Sequence, residues 1–298
     1  MNQRVDIDFS NNIELSIKRE DLLHPFISGN KFRKLKYNLK EAKQLRLKTL
    51  VTFGGAFSNH ILATASAGKE YGFETIGIIR GNELENNYCK NPTLVKAEEF
   101  GMKFYFVDRE SYRLKDKSDF FLNLKNELND FYLVPEGGTN DLAIKGCEEI
   151  LLEEDKQFDF VCCAVGTGGT ITGLINSSRE NQKIIGFPAL KGDFLFNDIR
   201  KFAKKANWDL NLNYHFSGYG KVNSELIAFL NDFYNKTNIP LDPIYTGKMM
   251  FGVVELINKG YFPEDSKILV IHTGGLQGLK GINNMLKEKN SEFLIYEE

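Results

Sequence analysis

The residues best equipped for chemistry lie near the N-terminus, in the stretch Ser28-Gly29-Asn30-Lys31-Phe32-Arg33-Lys34. A lysine amine can form a Schiff base with an aldehyde. Asn30 and Lys34 can hold the oxygens of an aldehyde-bearing ligand, while Gly29 leaves room for its ring. Lys31 is the candidate covalent residue. If it opens a helix, Lys34 falls one turn on and on the same face, where it can neutralise an anionic group. A solvated basic helix start continuing through Lys36 and Lys40 is the plain alternative, and the rest of the chain decides between the two.

Three further turns carry polar groups suited to a ligand. Gly166-Thr167-Gly168-Gly169-Thr170 offers unhindered backbone N–H groups at a helix start and two hydroxyls, a cradle for a phosphate dianion or simply a tight turn. Ile171 stands where the dinucleotide fingerprint requires its third glycine, and the Walker lysine loop is not matched either, so a single terminal phosphate fits best. Ser58-Asn59-His60 places a hydroxyl, an amide and an imidazole at another helix start. Asn59 can bond a phenolic oxygen and Ser58 can contact a carboxylate or relay a proton, although both residue types are also common N-caps. His272-Thr273-Gly274-Gly275 closes the last apolar run.

The elements that must position these turns alternate along the chain. Strands are expected at Thr49 to Phe53, Glu74 to Arg80, Lys103 to Val107, Phe131 to Val134, Phe158 to Ala164, Lys183 to Phe187, Leu212 to Phe216 and Lys267 to His272. Helices are expected from Ser28 to Leu45, Ile61 to Tyr71, Pro92 to Phe100, Lys117 to Leu128, after Asn140 to Glu153, from Ile171, Phe196 to Ala206, Ser224 to Tyr234, Met249 to Lys259 and Leu276 to Leu286. Short strands separated by helices predict an α/β fold with parallel sheets and ligands beyond the carboxyl ends of the strands. Pro135-Glu136-Gly137-Gly138-Thr139-Asn140 breaks the alternation and reads as a return crossing between two lobes.

The chain has 298 residues, 42% hydrophobic and 26% charged, enough for two lobes with a sizeable core. A net charge of −2 gives no reason to expect nucleic acid or a membrane surface as partner. Neither a signal-peptide-like start nor an apolar run of spanning length is found, so a cytoplasmic protein with a small-molecule ligand is expected. Cys89, Cys147, Cys162 and Cys163 lack metal-ligand spacing, and reduced core thiols are expected rather than a metal site.

Together these stretches resemble the fold-type-II pyridoxal-phosphate enzymes, specifically the branch of D-cysteine desulfhydrase and 1-aminocyclopropane-1-carboxylate deaminase. The matching blocks, in family order, are Lys18-Arg19-Glu20-Asp21, Gly29-Asn30-Lys31 with Arg33-Lys34, Ser58-Asn59-His60, Gly166 to Thr170, Leu241-Asp242-Pro243-Ile244-Tyr245-Thr246-Gly247-Lys248, and His272 to Gly275. The resemblance implies a two-lobed fold like the tryptophan synthase β chain. Residues 1–47 and 141–298 would form a large cofactor-binding domain and 48–140 a small inserted one. It implies pyridoxal phosphate on Lys31 beside Asn30, with Lys34, Thr167, Gly168, Gly169 and Thr170 around the phosphate. It further implies Asn59 on the ring's 3′-oxygen, Thr246 and Thr273 near the ring nitrogen, and Ser58, Asn59, His60 and Tyr245 facing a small amino acid, in a homodimer. Where the deaminases carry glutamate after the tyrosine, this chain has Thr246, as the desulfhydrases do. A neutral hydroxyl cannot hold the pyridine nitrogen protonated. The expectation is therefore β-elimination from D-cysteine to pyruvate, sulfide and ammonia, with Lys31, Ser58 and Tyr245 as the catalytic groups. Cyclopropane ring opening, D-serine-type dehydration and a catalytically silent carrier are the alternatives.

Overall fold

β-Branched and aromatic runs bounded by glycine or asparagine turns form two sheets in the computed structural model, which describes residues 1–115, 120, 124–126, 128 and 130–296. The larger sheet contains six strands, β1 (Asn2–Arg4), β2 (Glu14–Lys18), β7 (Phe160–Val165), β8 (Lys183–Pro188), β9 (Trp208–Leu210) and β10 (Lys267–Ile271), in the order β1-β2-β10-β7-β8-β9. All its pairs are parallel except β1 with β2, an antiparallel edge that the sequence pattern did not suggest. The smaller sheet is wholly parallel, in the order β5-β4-β3-β6, from β3 (Thr49–Gly54), β4 (Glu74–Arg80), β5 (Met102–Val107) and β6 (Tyr132–Val134). Their near-continuous apolar runs suit strands covered by helices on both faces, as in the buried centre of β7.

Register aligns the carboxyl ends that matter. Ile271 pairs with both Lys18 and Cys163, so the turns after β10 and β7 emerge side by side. The block Lys18-Arg19-Glu20-Asp21 braces this end by ion pairs. Lys18 meets Asp155 at 2.6 Å, Arg19 meets Asp21 at 2.7 Å, and Glu20 meets Arg33 at 2.8 Å. Helix α1 (Asn30–Gln44) starts where Gly29 adopts φ +58, and a Cβ there would lie 2.0 Å from the carbonyl oxygen of Thr273. Only glycine allows that approach, and the Asn30 N–H donates to the same carbonyl at 3.2 Å.

Several expected elements are placed differently. The alternating Leu212 to Phe216 stretch is a 3₁₀ turn at Leu212–Tyr214, because the Asn211 side chain accepts the Asn213 N–H, and the strand is β9 instead. The helix expected through Glu153 stops at Cys147. Asp155, bound to Lys18, Asn2 and the Leu152 N–H, draws Glu153–Gln157 into a separate 3₁₀ turn. The helix around Phe196 to Ala206 ends at Arg200, beyond which the Asn176 side chain accepts the Lys204 N–H. The expected helix Lys117 to Leu128 lies largely outside the described residues.

Candidate active site

The loop-to-helix turns of both sheets converge on one cavity, lined by Asn30, Lys31 and Lys34 from α1 and by Ser58, Asn59 and His60 at the start of α2 (Asn59–Tyr71). The turn after β7 contributes Gly166, Thr167, Gly168 and Thr170, and Tyr219, Tyr245, Thr273 and Gly274 complete the wall. Every sequence-predicted site residue except Gly169 and Thr246 lines it.

Lys31 is half-buried, and its Nζ donates to Asn30 Oδ1 at 2.9 Å. Asn30 in turn donates to Thr170 Oγ1 at 2.8 Å, which ties the lysine to the glycine loop. Loss of solvent, then the neighbouring Lys34 charge, pushes Lys31 from 10.5 down to about 7. Its amine is thus substantially neutral and nucleophilic near physiological pH.

Lys34 is buried and its Nζ sits in an oxygen-lined cup, 2.9 Å from the Gly137 carbonyl and 3.1 Å from Thr139 Oγ1, with Thr167 Oγ1 at 3.5 Å. Thr139 and Thr167 hydroxyls lie 2.6 Å apart. Gly169 heads the helix Gly169–Ser177, and a Cβ on it would come within 2.8 Å of Thr139 Oγ1 and 3.2 Å of Lys34 Nζ. A cation, two hydroxyls and the backbone N–H groups of a helix start, brought close because Gly169 carries no Cβ, suit a terminal phosphate. Thr139 is the cup residue that sequence reasoning missed. The signal was present, because Gly137-Gly138-Thr139 repeats the Gly168-Gly169-Thr170 pattern.

Ser58 lines the cavity and also caps α2, accepting the Ile61 N–H at 3.4 Å, so its two readings coexist. His60 is fixed by a chain of bonds. The Thr52 hydroxyl donates to the Val134 carbonyl at 2.9 Å, so at 2.8 Å it must accept from His60 Nε2. Burial, then Lys31 and Lys34, hold the imidazole well below its usual range, and it stays neutral. Its buried Nδ1 is an acceptor with no partner among the described residues, beside the ligand cavity. Burial, then the Tyr219 phenol, raise Tyr245 well above 10, so its hydroxyl keeps its proton; the two rings meet edge-on at 6.0 Å.

The Thr246 hydroxyl is engaged elsewhere. Wholly buried, it donates to Asp242 Oδ2 at 2.6 Å and accepts the Asp242 N–H at 3.0 Å. Asp242 also accepts the N–H groups of Ile244, Tyr245 and Thr246, and this folded turn presents Tyr245 to the cavity. Thr273, by contrast, does line it. His272 positions that turn by donating to the Pro240 carbonyl and accepting the Gly274 N–H. Cys147, Cys162 and Cys163 are buried and free as expected of core thiols, whereas Cys89 is exposed, and burial pushes the Cys147 thiol up to about 11.

Known proteins resemble this chain in sequence and fold. Residues 7–274 match the family described as pyridoxal-phosphate dependent enzyme. A protein of Pyrococcus horikoshii named putative 1-aminocyclopropane-1-carboxylate deaminase is 31% identical over 285 residues, covering 89% of this chain and 85% of its own. The Arabidopsis thaliana bifunctional D-cysteine desulfhydrase/1-aminocyclopropane-1-carboxylate deaminase is 31% identical over 300 residues, covering 90% of this chain and 74% of its own. A crystal structure titled as the ACC deaminase homologue superposes with a TM-score of 0.83 at 29% identity, covering 97% of this chain and 93% of that one. With the family match running over residues 7–274 and relatives under both names, the chain belongs to the pyridoxal-phosphate dependent enzyme family that includes the deaminases and desulfhydrases.

Proposed function

We propose that the enzyme eliminates the β-substituent of a small D-amino acid, with D-cysteine the favoured substrate. The observation that carries this reading is that no carboxylate is among the described residues lining the cavity, where Thr273 offers only a neutral hydroxyl. Pyridoxal phosphate supplies an aldehyde that takes up the substrate amine and a ring that delocalises electrons released at Cα. Without a counter-charge to keep the ring nitrogen protonated that delocalisation is weaker, which favours a substrate with an acidic Cα–H and a ready leaving group.

The placement of these residues around one cavity supports the roles that the resemblance implies. Asn30 and Lys31 would hold the reactive end of the cofactor. Lys34, Thr139, Thr167, Gly168, Gly169 and Thr170 would hold the phosphate, and Asn59 the 3′-oxygen. Lys31, about half of which is neutral at pH 7, would accept the α-proton. Tyr245, which retains its proton, would donate to the leaving sulfur, while Ser58 and the unpaired Nδ1 of His60 orient the substrate's polar groups. The Cα–H and Cβ–S bonds break, sulfide leaves, and water converts the released enamine to pyruvate and ammonia. We further propose the domain division 1–47 with 141–298 against 48–140, which leaves the smaller sheet whole, a homodimer as the resemblance implies, and a cytoplasmic location as the sequence pattern leads us to expect.

Cyclopropane ring opening is the second reading, favoured by the names of the relatives. Pyruvate and 2-oxobutyrate should be assayed side by side with D-cysteine, D-serine, L-cysteine and 1-aminocyclopropane-1-carboxylate. Pyruvate from D-cysteine at the highest kcat/KM supports the proposal. Dominant 2-oxobutyrate from the cyclopropane substrate overturns it in favour of the second reading.

A further inference from the structure

Lys248 closes the block Leu241 to Lys248, yet the chemistry above gives it no task. Its side chain is only 2% exposed, and its ammonium meets backbone carbonyls, that of His215 at 3.0 Å and that of Gly218 at 2.9 Å. These carbonyls bracket a loop in an unfavourable conformation. Phe216 and Ser217 both take left-handed φ values of 50° and 65°, and Gly218 takes 114°. Non-glycine residues resist that region, and two in succession need something to hold them there. The next residue is Tyr219, whose ring packs edge-on against Tyr245 and lines the cavity.

Fold stability does not explain such a lysine. A buried cation that meets neutral carbonyls has lost its hydration for two hydrogen bonds, and an apolar side chain of similar length avoids that cost. Burial pushes Lys248 down to about 8 while Asp242 opposes the fall, so it is still a cation at neutral pH.

We propose that Lys248 is a positioning residue: it fastens the His215–Gly218 loop through two carbonyls and thereby sets Tyr219 against Tyr245 at the cavity wall. For its effect on turnover, the inference rests on the reading of Tyr245 as a substrate-facing group. The loop's attachment stands apart from that reading.

The holoenzyme variants Lys248→Met, Tyr219→Ala and the double variant test it. Trypsin cleavage after the exposed Lys221, followed by mass spectrometry, reports the loop without any substrate. Lys248→Met is expected to speed that cleavage at least about tenfold, with cofactor affinity and melting midpoint unchanged. On the best substrate it should lower kcat by about tenfold or more, and should lower it no further in the Tyr219→Ala background. Unchanged cleavage overturns the fastening, whichever substrate proves correct. Accelerated cleavage with fully additive losses of kcat overturns the action through Tyr219. Should Lys248→Met fail to fold, Gly218→Ala puts a methyl at ordinary contact distance, 3.9 Å from Lys191 Cβ, and opposes only the left-handed backbone. It should likewise speed cleavage and slow turnover, and leaving both unchanged overturns the proposal.

Discussion

The lowered pKa of Lys31 gives the sharpest prediction. A depressed lysine pKa leaves the amine neutral above the folded value and protonated below it, so aldehyde capture should rise with pH through about 7 and then level off. At pH 8 about nine-tenths of the amine is neutral, against about 0.3% for an ordinary lysine, an advantage of roughly 300-fold. Between pH 8 and pH 6 capture should fall about tenfold. Lys34 is the largest cause after burial, so Lys34→Met should move the midpoint upward. Because Lys34 also belongs to the proposed phosphate cup, the assay should use pyridoxal, which lacks phosphate, on the cofactor-free protein. Cyanoborohydride trapping and peptide mass spectrometry then count label on Lys31, with Lys31→Ala as the blank. A wild-type midpoint near 10, or a Lys34→Met midpoint that does not rise, would refute the electrostatic reasoning.

Thr139→Val should weaken pyridoxal-phosphate affinity about as much as Thr167→Val while sparing turnover at saturating cofactor, which absorbance titration can check; an effect confined to Thr167→Val would remove Thr139 from the cup. Gly29→Ala places a methyl 2.0 Å from the Thr273 oxygen and requires a left-handed alanine, so the Asn30–Thr273 bond should break and the melting midpoint should drop by several degrees. Thr246→Glu would set a second buried carboxylate against Asp242, and a loss of about 3 kcal/mol or more in a denaturant titration is expected. Asp242→Asn should recover part of that loss, and no recovery would exclude charge repulsion as its cause.

Much of this was visible in the sequence, because strand-to-turn-to-helix boundaries are local. Glycines and hydroxyls at Gly166 to Thr170 mark a helix start whatever surrounds it, and the lysine of Gly29-Asn30-Lys31 is set by the helix it opens. What was hidden depends on particular side-chain bonds and on chain segments that meet only in the fold. Leu212 to Phe216 satisfies the alternation of a strand as well as that of a 3₁₀ turn, and the Asn211 side chain decides. Thr139 enters the cup only because the small sheet returns beside α1. The Thr246 hydroxyl is held by Asp242, a bond that no residue spacing announces. The block Lys18 to Asp21 matches the family yet serves as bracing.

The meeting of Gly29 with Thr273 also constrains the order in which the molecule can assemble. β2 lies within the first 18 residues but pairs with β10, which starts at Lys267, so the larger sheet cannot close until nearly the whole chain is available. The smaller sheet, by contrast, is built from one contiguous stretch between Thr49 and Val134. On an elongating chain that sheet can form while the N-terminal lysine waits without its partners, since contacts of long sequence separation come late. A lysine reactive enough to capture aldehydes is therefore completed last, when the turn carrying Thr273 arrives and the surrounding burial lowers its pKa. Until then Lys31 lies outside the burial that lowers its pKa and behaves as an ordinary protonated side chain.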